Sequence, residues 1–445
     1  MIKKGLMSVC VFLFLGILVW GQTETVSPKV FSLDQCIEIS LKNNATVIAA
    51  RNAYQVAKND VWTGWGVVLP SLGSSIGYSR VVTGPTQQTR IDQSTGEVIV
   101  GTTGIGVYKS YSSSVSASQS WSLGGYNFYE IREKYASRNS VYNSYQLTRQ
   151  ELILSVKQAY FNVLKAKMLL GIQQEALKSV EEQLKIAQTR YDLGSASFSD
   201  VLKAKVQYGD VKLALITAEN NVKLAKATLN SIMGQNVDFP IEVEENLTQP
   251  AFPYSYEEGL NQSVEENPSV LKSKADLESA KAQMGLVRSS FFPTLNLRGG
   301  YSWNNQNLDQ IKNIRTSDYN WSFNASISFN IFENFQRKQN LSYAKANLNS
   351  AQENFRQTKN DVAYLVKLAF IGVQQAQETI GLTNDKLQSA KEDLDLVQEK
   401  YTLGAASILE LLDAEVSYKQ AQSDQVQALY DYNLAVAQFE QAMGK

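Results

Sequence analysis

The feature that most constrains the fold of this chain is an internal duplication. The residues Arg190–Ser197 read RYDLGSAS, and the residues Lys400–Ser407, 210 positions later, read KYTLGAAS. Upstream, Leu69–Leu72 (LPSL) recurs as Phe292–Leu295 (FPTL) after 223 positions. Such a period is far longer than the roughly 20 to 50 residues of a solenoid repeat. The sequence therefore indicates two copies of a domain-sized module.

Each module is predicted to contain a helix, a β-hairpin, a long helix, a tight tip and a returning helix. The first copy is longer because of an insertion between Pro70 and Trp121, and a connector containing Pro and Glu separates the copies. The predicted boundaries are 22–234 for the first module (hairpin about 70–123, tip about 192–199), 235–253 for the connector, and 254–445 for the second module (hairpin about 293–331, tip about 402–409).

The long helix of each module has the spacing of a coiled-coil seam, with apolar or small residues in steps of four and three. About 65 residues without proline predict a rod of roughly 100 Å. Gly194 and Gly404 are expected to end the rods. Ser197 or Ser199, and Ser407, are candidate caps of the returning helices. The predicted seam residues are Leu152, Val156, Ala159, Val163, Ala166, Leu170, Leu177, Val180, Leu184, Ala187 and Tyr191, and then Val362, Val366, Ala369, Val373, Ala376, Ile380, Leu387, Ala390, Leu394, Val397 and Tyr401.

The predicted hairpins alternate between apolar and small polar residues, which is the period of a β-strand. Each strand is about ten residues long, as in a tilted strand that crosses an outer membrane. A soluble sandwich alternates too, but the small number of strands and the Ser/Asn polar face favour a membrane barrel. The apolar face is predicted to comprise Leu72, Ile76, Tyr78, Val82, Tyr111, Val115, Ala117, Trp121, Leu123, Leu295, Leu297, Gly299, Tyr301, Trp303, Tyr319, Trp321, Phe323, Ala325, Ile327, Phe329 and Ile331.

Four strands are too few to close around a water-filled lumen. An open sheet in lipid would leave the backbone groups of its edges unpaired. The chain is therefore expected to oligomerise, and three copies would supply twelve strands. The predicted fold class is mainly α with a membrane β part: a trimeric β-barrel continuous with a long α-helical barrel.

Composition narrows the possible functions. The chain has 42 basic and 43 acidic side chains and no histidine. The neutral balance argues against a nucleic-acid partner, and the lack of histidine excludes Ser-His-Asp and Cys-His chemistry. No phosphate-binding Gly-Lys-Ser/Thr loop occurs. We therefore expect no catalytic residue, no cofactor and no bound metal.

Residues 1–21 have the form of a secretory signal peptide. Two lysines precede an apolar run that is short for a membrane-spanning helix, and Gly21 is a small residue before a cleavage site at Gln22. A retained membrane anchor is the alternative. Cleavage would remove Cys10 and leave Cys36 as the one thiol, which is interpreted as an apolar filler on a helix.

The paired tips and strand entries carry a resemblance to a known family. Tyr191–Leu202 and Tyr401–Ala414 each place a Tyr-x-x-Gly tip before an acidic, leucine-containing helix start, and Leu69–Pro70 and Phe292–Pro293 precede the strands. Over nearly all of the mature sequence, the chain resembles the TolC family of outer-membrane efflux and secretion proteins. The resemblance implies a homotrimer in the outer membrane of a Gram-negative bacterium, with a periplasmic helical extension. It also implies a periplasmic adaptor protein and an inner-membrane pump of RND or ABC type.

The resemblance also implies roles for the two tips. In the family the tips dock the adaptor, which assigns docking to matching triplets in the two copies. The alternative is that Gly194 and Gly404 only make the turns. The docking residues carried over are Leu193, Gly194 and Ser195 with Leu403, Gly404 and Ala405.

A ring of acidic residues closes the periplasmic end in the family, and Asp200, Glu410 and Asp413 match its positions. Such a ring would attract cations, whereas the alternative interpretation is that these acids only cap helix N-termini. The chain departs from the best-known member in having Ala406 where that member has a locking arginine. Closure is therefore expected to rest on other contacts.

Three function classes remain open at the level of sequence. The first is a passive export duct that takes its energy from a partner. The second is a trimeric coiled-coil structural or adhesive protein without transport. The third is an enzyme using the carboxylates of Glu410 and Asp413 as an acid/base pair, although no pocket is indicated around them. The duplicated hairpin tips favour the duct.

Overall fold

A computed structural model describes residues 29–244 and 247–445, so the predicted signal peptide at 1–21 and Cys10 lie outside the described residues. The first module contains β1 (Lys29–Phe31), α1 (Leu33–Asn43), α2 (Ala45–Gly66), β2 (Ser71–Thr83), β3 (Gln87–Ile91), β4 (Val98–Thr102), β5 (Gly106–Ser122), α3 (Tyr126–Asp192) and α4 (Phe198–Ile232). The connector contributes β6 (Ile241–Val243). The second module contains α5 (Tyr256–Glu266), α6 (Pro268–Ser289), β7 (Thr294–Asn305), a 3₁₀ helix (Leu308–Asn313), β8 (Tyr319–Ser328), α7 (Gln336–Thr402) and α8 (Ile408–Met443).

The two rods, α3 and α7, are each 67 residues long, which corresponds to about 100 Å. Their seam residues are buried or half-buried as predicted, with one difference at the tip. Tyr401 is buried, whereas Tyr191 is 41% exposed and packs on Phe198. The return helices α4 and α8 are shorter, with 35 and 36 residues. The predicted antiparallel helical hairpins are therefore present in both copies.

The helices form a single four-helix layer in each half of the rod. Toward the tips, α3 packs between α4 and α8, and α7 packs on α8. Toward the sheet, α2 and α6 take the places of α4 and α8. Where one helix ends and the next takes its place in the layer, an asparagine side chain connects the two. Asn44 caps α2 and donates to the Ile232 carbonyl at 3.0 Å, and Asn267, 223 positions later, caps α6 and donates to the Ala442 carbonyl at 3.0 Å. The duplication thus extends to matching hydrogen bonds.

The four long strands form one antiparallel sheet in the order β2-β5-β7-β8, so the two predicted hairpins are joined through β5 and β7. Its polar face has hydrogen bonds between the hydroxyls of Ser71 and Ser118 at 2.7 Å and of Ser75 and Ser114 at 2.8 Å. The opposite face exposes the predicted apolar side chains of β2 and β8, together with Val115 and Trp121 of β5. The insertion in the first copy folds as a separate β3–β4 hairpin, which the pattern did not indicate.

Trp303 departs from the predicted apolar face. Its side chain is 1% exposed, whereas that of Trp321 on the neighbouring strand is 73% exposed. The chain after β7 folds back over this part of the sheet, and the Tyr301 hydroxyl donates to the Ile314 carbonyl. The alternation of apolar and polar residues predicts which face of the sheet a side chain is on. It does not predict whether the following loop covers that side chain.

A small core lies midway along the rods. β1 and β6 pair in parallel there, and Cys36 is fully buried beside Phe31 and Tyr160. Burial raises the pKa of the Cys36 thiol to about 11, so the thiol is a neutral packing group and the interpretation as an apolar filler is confirmed. In the described ranges, none of the helices has a stretch apolar and long enough to cross a bilayer.

Candidate functional site

The two tips are built from the same turn. Gly194 has φ +75° and Gly404 has φ +77°, in the left-handed region that favours glycine. The Ser195 amide donates to the Arg190 carbonyl, and the Ala405 amide donates to the Lys400 carbonyl, each at 2.8 Å. These bonds satisfy carbonyls that a helix end would otherwise leave unpaired. The glycines therefore make the turn, as the simpler interpretation of the sequence held.

The apex of each tip also exposes a large apolar side chain. Leu193 is 76% exposed and Leu403 is 78% exposed, and their neighbours Ser195 and Ala405 are exposed too. Among the described residues, no atom outside the turn lies within 4 Å of where a Cβ on Gly194 or Gly404 would be. The six predicted docking residues thus form two similar exposed surfaces, each with a leucine at its apex.

Two of the three predicted gate acids, Asp200 and Glu410, cap helix starts in the single chain. Asp200 and Ser197 form a reciprocal capping box, as do Glu410 and Ser407. The hydrogen bond from the Ser197 hydroxyl, 2.8 Å from the carboxylate, holds the pKa of Asp200 below its usual value. Asp413 and Glu410 are both exposed near the tip. The capping interpretation is thus observed for Asp200 and Glu410, whereas the structure shows no capping bond for Asp413.

Sequence reasoning missed the residue that joins the two tips. Arg190, at the end of α3, lies with its guanidinium 4.6 Å from the centre of the Tyr401 ring. It also donates to the Tyr401 carbonyl at 3.2 Å and to the Thr402 carbonyl at 3.4 Å. The one indication in the sequence was that a basic residue, Lys400, also stands at the matching position of the second copy. Ala406 stands at the position where the best-known family member has a locking arginine. It is half-buried and packs in the same apolar cluster as Tyr401.

A second missed group is a carboxylate between the helices above the tips. Glu415 of α8 faces α3, where it accepts hydrogen bonds from the Ser179 hydroxyl at 2.7 Å and from the Gln183 amide. A cavity of about 190 Å³ adjoins it. Burial raises the pKa of Glu415, and the hydrogen bonds from Ser179 and Gln183 partly oppose that rise. The spacing of a coiled coil does not distinguish this glutamate from a solvated one.

Rods of about 100 Å that end in paired tips, beneath a sheet with one apolar and one Ser/Asn face, define a class: the outer-membrane channels with a helical extension. The chain belongs to the outer membrane efflux protein family, whose family model matches residues 36–235 and 259–445. This confirms the resemblance and places the protein in the outer membrane, as a channel protein of the efflux type.

Individual relatives are distant in sequence. The outer membrane protein TolC of Vibrio cholerae is 26% identical over 312 residues, covering 68% of this chain and 69% of that protein. TolC of Escherichia coli K12 is 25% identical over 326 residues, covering 71% of this chain and 65% of that protein. The chain thus aligns with about two thirds of the length of these relatives.

Solved structures show the same fold over almost the whole chain. The CmeC outer membrane channel of Campylobacter jejuni superposes with a TM-score of 0.81 at 19% identity, covering 99% of this chain and 94% of that chain. A membrane protein from Pseudomonas aeruginosa gives a TM-score of 0.80 at 19% identity, covering 93% of each chain. The predicted combination of a helical part, a β part and an internal duplication is confirmed.

Proposed function

We propose that three copies of this chain form one continuous export duct, and the uncovered edges of the single chain carry the proposal. Within residues 29–244 and 247–445, the outer edges of β2 and β8 have no strand beside them. In lipid those backbone groups must be paired. Three sheets joined through these edges, β8 of one copy to β2 of the next, make a closed barrel of twelve strands.

The helical layer has matching uncovered edges. Its two outer helices toward the tips, α4 and α7, expose apolar side chains that a monomer would leave in water. Val206 and Leu213 lie seven residues apart on α4, and Leu368, Leu382 and Leu396 recur at intervals of fourteen on α7. Multiples of seven keep these residues on one side of a supercoiled helix. α4 of one copy packing on α7 of the next would bury both rows and close a helical barrel.

The duct is passive, and its periplasmic end docks a partner. Leu193–Ser195 and Leu403–Ala405 bind a periplasmic adaptor, which connects the duct to an inner-membrane pump of RND or ABC type that supplies the energy. The exposed leucines at both apices support this, because exposed apolar side chains at equivalent positions are typical of a binding surface. Glu410 and Asp413, brought together from three copies, form the cation-attracting constriction, with Asp200 at the neighbouring tip.

Docking and conduction can be tested separately on the same preparation. The double variant Leu193→Ser with Leu403→Ser is expected to conduct normally in planar bilayers and to lose capture of the adaptor from a periplasmic extract. Val237→Ser, which alters an exposed apolar residue of the connector, is the matched control and should retain capture. Undiminished capture by the double variant would refute the docking assignment, and absence of conductance in the wild-type protein would refute the duct.

A further inference from the structure

Two cationic side chains stand directly opposite each other on the outer face of the sheet. Arg80 of β2 pairs with Lys109 of β5 in the antiparallel register. Side chains alternate along a strand, so Arg80 shares its face with Ile76, Tyr78 and Val82, all of which are exposed. The Arg80–Lys109 pair therefore points away from the Ser-rich face and toward the apolar side of the sheet.

The Arg80–Lys109 pair has no counter-charge in contact with it among the described residues. In the described ranges, neither side chain forms an ion pair or a hydrogen bond, and both are exposed. Like charges directly opposite each other on a sheet destabilise it. An anion from outside the chain would offset this repulsion.

The neighbouring residues give the depth of the pair in the membrane. On the helix side, the rings of Tyr78 and Tyr111, the next pair on the same face, lie 5.0 Å apart. Aromatic residues of this kind mark the boundary between lipid and water. Arg80 is eight positions from Leu72, or roughly 26 Å along the strand. Allowing for tilt, this is close to the upper edge of an apolar band about 25 Å tall.

Apolar residues continue on the far side of the pair. Val82 and Val107 oppose each other just beyond Arg80 and Lys109, and both are exposed. The two charges therefore lie between apolar pairs on the same face. Such an arrangement is typical of a surface that contacts lipid and not water alone. Long basic side chains in such a setting extend their charged ends to the headgroup layer.

We propose that Arg80 and Lys109 bind the phosphate of an anionic lipid headgroup in the outer leaflet, with the Tyr78 and Tyr111 rings against the adjoining part of the lipid. The Arg80 guanidinium supplies two parallel N–H donors to the phosphate oxygens, and the Lys109 ammonium supplies a second positive charge. The assignment rests on the proposed barrel, which places this face in lipid.

Native mass spectrometry of the detergent-solubilised complex tests the site. Wild-type protein should retain phosphatidylglycerol in preference to phosphatidylcholine with the same acyl chains. Arg80→Gln with Lys109→Gln should weaken phosphatidylglycerol binding roughly 25-fold, since each basic residue near an anionic lipid surface contributes about a factor of five. Arg80→Lys, which keeps the charge, should retain most of the preference.

Arg298→Gln is the matched control, because Arg298 pairs with Ser118 and Asn324 and so lies on the opposite, polar face. It should bind phosphatidylglycerol as wild type does. An unchanged preference in the double glutamine variant overturns the proposal, and so does displacement of the lipid by an equal concentration of inorganic phosphate. Bilayer conductance of the same samples separates the two claims: a complex that conducts but shows no lipid preference refutes this site alone, whereas one that does not conduct refutes the duct.

Discussion

Arg190 and Tyr401 connect the ends of the two long helices, with the guanidinium stacked 4.6 Å from the ring centre and bonded to the Tyr401 carbonyl at 3.2 Å. The two residues belong to different copies of the duplicated module. The first tip therefore cannot move away from the second without breaking a cation–π contact and a charge-assisted hydrogen bond. In the proposed duct, this contact opposes widening of the periplasmic end.

Removal of this contact should loosen the tips. Arg190→Ala is expected to raise the ratio of open to closed channels by about 5- to 30-fold, because such contacts contribute roughly 1 to 2 kcal/mol. Single-channel recording in planar bilayers measures the ratio. Lys185→Ala, which removes an exposed cation from the same helix, is the control and should behave as wild type. If the two variants gate alike, Arg190 has no part in closure.

Glu415 should make the packing of α8 on α3 dependent on pH. Its pKa in the folded chain is raised above the ordinary 4.5, mainly by burial. The folded state therefore binds the proton more tightly than the unfolded state. The resulting stabilisation is complete below about pH 4.5 and is lost as the pH rises through the raised pKa.

Glu415→Gln removes the ionisation and keeps a side chain that can accept hydrogen bonds from Ser179 and Gln183. We expect its unfolding temperature at pH 7 to rise above that of wild type, and the difference from wild type to shrink toward pH 4. Thermal scans in detergent across this range measure the effect. Glu175→Gln, in the same cavity lining, serves as the control. Parallel pH profiles for wild type and Glu415→Gln would contradict the assignment.

Replacement of Gly194 by alanine is expected to destabilise the tip on conformational grounds. At φ +75° a side chain costs about 1 kcal/mol or more. Gly171, inside α3 with open space around it, should respond in the opposite sense, because alanine there favours the helix by up to about 1 kcal/mol. Unfolding temperatures of Gly194→Ala and Gly171→Ala should therefore shift in opposite directions. An unfolding temperature of Gly194→Ala equal to or above that of wild type would show that the turn does not require glycine.

The acidic constriction is tested by removing charge without disturbing the helix start. Glu410→Gln with Asp413→Asn keeps a side chain that can complete the capping box with Ser407. In planar bilayers the cation-over-anion preference should fall severalfold, because six carboxylates are lost from three copies. Asp238→Asn, an exposed acid in the connector, is the matched control. Selectivity equal to that of wild type would remove Glu410 and Asp413 from the gate.

Periodicity predicted the large features of the fold because they depend on local patterns. The seam from Leu152 to Ala187 and the paired caps at Ser197 and Ser407 follow from spacing and residue type within a few turns. The alternating faces of the strands follow in the same way. The β5–β7 pairing was not predicted, since it joins segments from different modules and neither strand contains a signal for its neighbour.

The side-chain contacts near the tips join residues that are far apart in sequence, and sequence patterns did not predict them for that reason. Arg190 lies 211 positions from Tyr401, and Glu415 lies 236 from Ser179. In the sequence each of these charged residues is one of many on a coiled-coil surface. Trp303 shows the same limit, because its burial depends on the loop after the strand and not on the strand pattern.

The central claim is that a chain with four membrane strands works only when copies share one pore. The most direct measurement is the molar mass of the detergent-solubilised protein by light scattering, taken on the same sample that is tested for conductance in planar bilayers. We expect a complex of three chains that conducts. A single chain that stays soluble and folded without detergent, and that forms no channel, would contradict it.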